Sequence, residues 1–465
     1  MEKYIDGIKK SPMYYTFCIL TIFMFLCMNI GFVMYNPISH IAGVIALVGV
    51  SLFLVIKYKK ILEWELSRKS FYICIISIFV IVLLLQSIIC YNVPLAYYSD
   101  FTIAREQAIF LTDNFCIKHE FSDYFHSYPY NIDTVLVLSC LYKLTGDYHA
   151  VELITSSLSN ITAVITGLTV CNITKNRMVS IITIIFTEIF LLFCLKTYLP
   201  YSSNLVVLFP ILIVYVYTAK LSKFWKIILM TLFVAIGYRI KLTALIPYIG
   251  ILMIEGYDII KNKDYKSTGT FIASIAVFFA MFCSLRNIAL DKLDFHSDPT
   301  MEHDFVYYIA LGQDNEMGGQ FNKKIAVLGD VHMPKEQRDT LFRNIAIQSF
   351  TERSAVQHVK FFIGKIAFCW GEVHQDHLEI CKLDSLLLLL RHYVWYFALL
   401  CMTIGSYIIN DKRYKSLLLG IAGVVAYLYL SEAGARYVIM YSPIVFVMMG
   451  WMLSINKEFV CSTHQ

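Results

Sequence analysis

The chain has 465 residues, of which 58% are hydrophobic and 15% aromatic but only 16% charged; its formal net charge is +5 and its mean hydropathy +0.62. Soluble domains average about 45–50% apolar and about 25% charged residues, which excludes an ordinary soluble enzyme, a secreted globular domain and a disordered chain. At about 20 residues per spanning helix, a dozen spans would use roughly 240 residues and leave a substantial polar remainder. The small net charge gives no reason to expect nucleic acid as a partner.

Lys3, Lys9 and Lys10 precede an apolar run near Tyr14 to Tyr35 that is too long for a signal peptide and lacks a small-residue cleavage site. It reads as the first span, with the N-terminus inside. A second run, near Ile41 to Ile56, leads into the basic stretch KYKKILEWELSRK, and a third, near Phe71 to Tyr91, delivers the chain outside. Residues 92–131 then form a first external loop, rich in polar and aromatic residues. The apolar stretch Ile132 to Leu144 is too short for a full span and reads as short or re-entrant.

Six further runs follow, near Ala150 to Cys171, Ser180 to Leu195, Leu205 to Val216, Trp225 to Gly237, Leu242 to Ile254 and Thr268 to Leu285. Basic clusters at Lys175/Arg177, Lys220/Lys223/Lys226 and Lys261/Lys263/Lys266 mark their cytoplasmic turns. Arg286 to Lys382 carries no convincing span and forms a second external region, in which Val356, Val359, Phe362, Ile363 and Ile366 predict an interfacial amphipathic helix. Three runs close the chain, near Leu383 to Ile409, Ser416 to Leu430 and Tyr437 to Leu453.

The fold class is thus an all-α polytopic membrane protein with about 12–13 spans and two external regions. Its parts are 1–70 (two N-terminal helices and a cytoplasmic loop), 71–285 (the transmembrane core), 286–382 (the second external region) and 383–465 (the closing helices and a short tail). Most of the 13 cysteines fall inside apolar runs without a CxxC pair, and there they behave as small hydrophobes. Internal repeats, which many secondary transporters show, are not visible.

With so few charges, those at the membrane boundary are the natural place to look for chemistry. Asp100 follows the third run by a few residues, where a carboxylate can take a proton from a hydroxyl. Arg105, five residues on, can hold a phosphate or pair with Glu106. Tyr97, Tyr98, Tyr124, Phe125, Tyr128 and Tyr130 suit an interfacial aromatic belt or a wall on which a sugar stacks. Arg239 and Lys241, in GYRIKLTALIPY, and Arg436, in SEAGARYVIMYSP, fall on the same outer face as Asp100 and can neutralise a phosphodiester. Lys360 and Lys365 on the amphipathic helix point toward headgroups or a substrate phosphate, and the Gly318–Gly319 pair lets backbone approach a ligand. Glu188 reads as a possible partner of Lys196, and His374, Asp376 and His377 in HQDH as a weak metal-ligand cluster.

An acidic residue just after an early span, then a YP dipeptide opening a helix, resembles the GT-C superfamily of integral-membrane glycosyltransferases. More narrowly, the chain is similar to the bacterial PMT/ArnT-like glycosyltransferases (family 39-like). The matching pieces are YYSDF, YFHSYPYN followed by LYKLTGD, GYRIKLTALIP, LGQDNEMGGQFN, GKIAFCWGE and EAGARYVIMYSP. Ser99 and Phe101 flank Asp100 where many members carry paired acids, and a single Pro129 stands for the usual proline pair.

The resemblance implies a sugar donor on polyprenyl phosphate at the extracytoplasmic face of the cell membrane, and a glycan, lipid or protein acceptor bearing a hydroxyl. Asp100 would be the general base of an inverting transfer. Arg239, Lys241 and Arg436, with Arg105, Lys365 and Tyr128, would hold the donor. No cofactor is required if fixed cations meet the leaving phosphate, although some relatives use a divalent metal. Two alternatives share the topology: a polysaccharide polymerase or ligase of the Wzy/WaaL type, acting on lipid pyrophosphates, and a flippase for lipid-linked saccharides.

Overall fold

Apolar length and helix capping decide where the regular elements begin. The structure, a computed structural model, describes residues 38–57, 64–262, 298–328, 333–371 and 384–455 with few interruptions, together with short pieces between 19 and 36 and between 272 and 295. Every regular element among the described residues is helical. In chain order the elements that matter for the site are α1 (Ile38–Lys57), α2 (Arg68–Asn92), α3 (Asp100–Phe110), α4 (Asn131–Thr145), α5 (Tyr148–Thr174), α6 (Arg177–Leu192), α7 (Leu208–Thr218) and α8 (Lys223–Ile240). They are followed by α9 (Ile246–Asn262), α10 (Phe305–Gln313), α11 (Lys335–Thr351), α12 (Ala355–Ile366), α13 (Asp384–Ile408), α14 (Lys412–Leu430) and α15 (Ser442–Leu453).

Five described helices are long and apolar enough to cross a membrane: Arg68–Asn92, Tyr148–Thr174, Leu242–Lys261, Asp384–Ile408 and Lys412–Leu430. Shorter apolar helices occupy His40–Val55, Ser202–Thr218 and Ser442–Leu453. The protein is a polytopic, all-helical integral membrane protein. The first expected span lies largely outside the described residues, as do the run near Thr268 to Leu285 and the HQDH cluster. α4 covers the stretch read as too short to span, and its 15 residues reach only about 22 Å at 1.5 Å per residue.

Two packing regimes hold the bundle. α2 is apolar on nearly every side, with Ile73, Ile76, Ile81, Leu84 and Ile88 exposed and Gln86 turned inward. That pattern is a helix that faces lipid. α5 instead buries a seam of Thr155, Ser156, Ser159, Asn160, Thr162, Thr166 and Thr169. Its hydroxyls return to carbonyls one turn back, as Thr162 and Thr166 do at 2.7 Å. Small side chains that satisfy themselves this way let neighbours close in without leaving polar groups in hydrocarbon. The amide of Gln86 uses that seam, donating to the Ser156 carbonyl at 2.9 Å and the Ser159 hydroxyl at 3.1 Å. Between α9 and α14 the backbones nearly touch, since a Cβ on Gly250 would stand 2.6 Å from the Gly420 amide nitrogen.

Antiparallel alternation brings one set of helix ends together. The C-termini of α2, α6, α8 and α14 and the N-termini of α3, α4, α5, α9 and α15 share one face of the bundle. α10 packs on α11 and against α14 above that face. The candidate site lies there.

Candidate functional site

Ser99 sets the position of Asp100. Its backbone is at φ 50°, ψ −128°, the left-handed half of conformational space, and Asp100 is then the first residue of α3. A serine held there stores strain of about 1–3 kcal/mol, a feature that clusters at functional sites. The carboxylate is lightly tethered, with the Tyr201 hydroxyl 3.5 Å from Oδ2 and the Ser99 hydroxyl 3.5 Å from Oδ1. Both contacts are at the long limit of a hydrogen bond, so the carboxylate keeps acceptor capacity. Tyr201 also donates to Asn131 Oδ1 at 3.3 Å, which ties the start of α4 to the same point.

Asp100 opens into a cavity of about 330 Å³, which Arg239, Lys241, Glu432 and Arg436 also line. Tyr130, Tyr201, Tyr238, Tyr308, Tyr427 and Tyr437 supply aromatic walls. Three cations expected on the face of Asp100 are therefore brought into one cavity with it, from segments far apart in the chain. Each is held differently. Arg239, in the last turn of α8, pairs through Nη2 with Asp133 Oδ2 of α4 at 2.5 Å. Arg436 stands 3.5 Å from Glu432, four residues earlier in the chain, and donates to the Tyr437 hydroxyl at 3.0 Å. Lys241 follows α8 in extended backbone, and its ammonium lies 4.8 Å from the centre of the Tyr437 ring.

Lys241 has no hydrogen-bond partner for its side chain among the described residues. Burial, with Arg436 nearby, pushes its ammonium down to about 7. Burial also raises the Glu432 carboxyl, against the pull of Arg436. At the mouth, His303 stacks on Tyr307 with ring centres 4.0 Å apart, and burial, with Arg338, pushes it down to about 4. It is a neutral imidazole at neutral pH.

The other expected ligands of a phosphate or sugar are elsewhere. Arg105 is sandwiched between the rings of Tyr97 and Tyr148, at 4.3 and 4.8 Å, away from the cavity. It clamps α3 to α5. Tyr128 packs under His303 and meets the Tyr307 hydroxyl at 3.2 Å, while its neighbours Pro129 and Tyr130 reach the cavity. Lys365 corrects the expectation of a headgroup or phosphate contact. It is 2% exposed, and it donates to the carbonyls of Gly312, Ser431 and Tyr429 at 2.6, 2.7 and 3.0 Å. All three ammonium protons are used, and the cation closes the carbonyl end of α14. The amphipathic helix itself is there as α12, capped by Ser354 and Gln357, with Val356 and Val359 exposed.

Glu188 is not Lys196's partner. Its buried carboxyl group has no hydrogen-bond partner among the described residues, and Lys196 lies 4.8 Å from the ring of Phe101, the residue after Asp100. The Gly318–Gly319 pair, read as a place where backbone approaches a ligand, adopts left-handed backbone and serves the structure instead. The Gly319 carbonyl accepts from the Ala433 amide at 2.7 Å and so fixes the segment that carries Glu432.

A family model described as a conserved hypothetical integral membrane protein matches residues 13–367. The chain belongs to that family. No curated protein and no solved structure matches it. The stretch matched to the family carries Asp100, Asp133, Arg239 and Lys241, and stops short of Glu432 and Arg436.

Of the tyrosine walls only Tyr130 was marked by the sequence; Asp133, Glu432 and the other tyrosines were not. Glu432 had a signal, its spacing of four from Arg436. Asp133 had only a weak one, because an acid in the first turn of a helix is ordinarily explained by the helix dipole.

Proposed function

We propose that this protein is a membrane glycosyltransferase of GT-C type, moving a sugar from a polyprenyl-phosphate donor to a hydroxyl acceptor at the extracytoplasmic face of the cell membrane. One observation carries the reading. A lightly tethered carboxylate, Asp100, and an ammonium without a hydrogen-bond partner among the described residues, Lys241, line one cavity at the end of an apolar bundle. The similarity of YYSDF, GYRIKLTALIP and EAGARYVIMYSP to PMT/ArnT-like enzymes supports it.

In this reading Asp100 takes the proton from the acceptor hydroxyl as its oxygen attacks the anomeric carbon. The bond from that carbon to the phosphate oxygen breaks, and the polyprenyl phosphate leaves. Lys241 and Arg436 meet the developing charge, and fixed cations in a partly dry cavity do so without reorganisation. The lipid tail lies along the apolar helices, so only its phosphate need reach the boundary. Among the described cations that line the cavity, Arg239 is paired with Asp133 and Arg436 with Glu432, while Lys241 has no hydrogen-bond partner and can face the donor phosphate.

The test is transfer of label from a panel of radiolabelled polyprenyl-phosphate sugars in membranes holding the wild type or Asp100→Asn. One donor should label an acceptor, and the variant should lose at least about 10²-fold in rate, the scale of a general base. Transfer by Asp100→Asn at the wild-type rate, or from pyrophosphate-linked donors alone, overturns the proposal.

A further inference from the structure

The cavity contains a carboxylate that the transfer step does not use. Glu432 lies on a non-helical segment between α14 and the Arg436–Ile439 turn, held in place from two sides. The Gly319 carbonyl binds the Ala433 amide on one side of it, and Lys365 grips the Ser431 carbonyl on the other. The backbone on either side of Glu432 is thereby tied down, while its side chain reaches into the cavity and meets Arg436 at 3.5 Å. That distance is a loose ion pair, with no direct hydrogen bond between the two groups at normal length. Arg436 has a second contact, the Tyr437 hydroxyl, that does not depend on Glu432.

We infer that Glu432 is a positioning residue that occupies Arg436 in the resting site and yields it to the phosphate of the departing lipid. The inference rests on the phosphate reading of the cavity. A donor phosphodiester carries one negative charge. When the carbon–oxygen bond breaks, the electron pair stays on the phosphate oxygen, and the monoester that leaves carries a second charge while the acceptor's proton sits on Asp100. One more positive charge must face the phosphate at that moment. Arg436 supplies it by exchanging Glu432 for the phosphate, where a guanidinium binds with charge-assisted, bidentate geometry. Glu432 then recaptures Arg436 as the lipid phosphate leaves. The exchange keeps the resting site nearly neutral and stops the product from being held too tightly.

The probe is farnesyl phosphate, a short polyprenyl monoester, titrated into the purified full-length protein in detergent. Glu432→Gln should bind it at least about tenfold tighter than the wild type, the scale of one charge-assisted hydrogen bond gained. Glu432→Asp, whose shorter arm loosens the pair but keeps the charge, should fall between the two, and it carries the test if the glutamine variant does not fold. In turnover, Glu432→Gln should lower both the KM for donor and kcat and leave the KM for acceptor unchanged. A merely structural carboxylate would instead weaken binding of both substrates. If the wild type binds farnesyl phosphate and neither variant binds it more tightly, the role of Glu432 is overturned while the phosphate site stands. If no form binds it, the phosphate reading falls, and this inference with it.

Discussion

Two lysines near one end of the bundle, Lys241 and Lys365, show what separates a structural cation from a functional one. Burial pushes both ammonium groups down to about 7. Lys365 answers with three carbonyl oxygens, each at 3.0 Å or less, which act to keep its proton on. Lys241 faces a cavity and a tyrosine ring and has donors to spare. A half-buried cation without a hydrogen-bond partner among the described residues is costly and persists where something else holds it, commonly a ligand. Both stand near α14, and the segment fixed by one presents Glu432 to the cavity lined by the other.

The largest effect should come from breaking the satisfied member. Lys365→Met takes the ammonium donor from three buried carbonyls, of which that of Tyr429 keeps the Gln313 amide, and removes the link between α12, α14 and the Gly312 backbone. It should destabilise the protein by about 3–5 kcal/mol, the scale of breaking a buried charged contact. Thermal unfolding in detergent should show the fall. Lys241→Met, by contrast, removes an unsatisfied charge and should leave the melting temperature unchanged or raised while abolishing binding of farnesyl phosphate. Equal destabilisation by the two substitutions would erase the distinction.

Arg239 lies between the extremes, lining the cavity but paired with Asp133. Asp133→Asn should cost about 1.5–3 kcal/mol of stability, the scale of a hydrogen bond to a charged group. A double substitution, Asp133→Asn with Arg239→Gln, should recover part of that loss in a mutant cycle. Strict additivity would show that the pair is not coupled.

A pH series reports on the ammonium that faces the cavity, and a Lys241→Arg variant assigns it. Only the charged ammonium attracts a phosphate, and its proton is lost as pH rises through about 7. Donor kcat/KM should therefore be flat below pH 7 and fall about tenfold per unit above it, as expected for one essential proton. The neighbours that set this value are Arg436 and Lys196, which lower it, and Glu432 and Asp100, which raise it. Lys241→Arg should stay flat to higher pH, because a guanidinium does not titrate there. An unchanged inflection in Lys241→Arg would assign it to another group.

Much of this was legible in the sequence, for reasons that differ by residue. α2 was plain because a helix facing lipid is apolar on all sides, and α4 was plain as a non-span because its apolar stretch is too short. The gathering of Asp100, Arg239, Lys241 and Arg436 followed from assigning each to a side of the membrane by the basic turns. Contacts across the face were not legible. Periodicity placed Lys365 on an amphipathic helix but could not show that α14 ends against it. Arg105 and Arg239 look alike as boundary arginines, and only the packing of α3 and of α8 on α4 gives one to the rings of Tyr97 and Tyr148 and the other to the cavity. Partners brought together from distant segments leave no spacing to read.

Ser99 offers the smallest and most local test. Its positive φ is a conformation that glycine adopts without cost and that a β-branched residue resists. Ser99→Gly should stabilise the protein slightly or leave it unchanged, because relief of strain is offset by the greater freedom of glycine in the unfolded chain. The consequence for the site runs the other way. The strained turn, together with the Ser99 hydroxyl, holds the Asp100 carboxylate at the start of α3 facing the cavity, and a glycine gives that carboxylate more room to move. Ser99→Gly should thus lower kcat by a few-fold with the melting temperature held, since misplacement of a reacting group is felt in rate before it is felt in stability. Ser99→Val should lower both. A Ser99→Gly protein with full kcat would mean that the strained turn serves the chain path alone and that Asp100 is positioned by Tyr201 and the packing of α3 against α4.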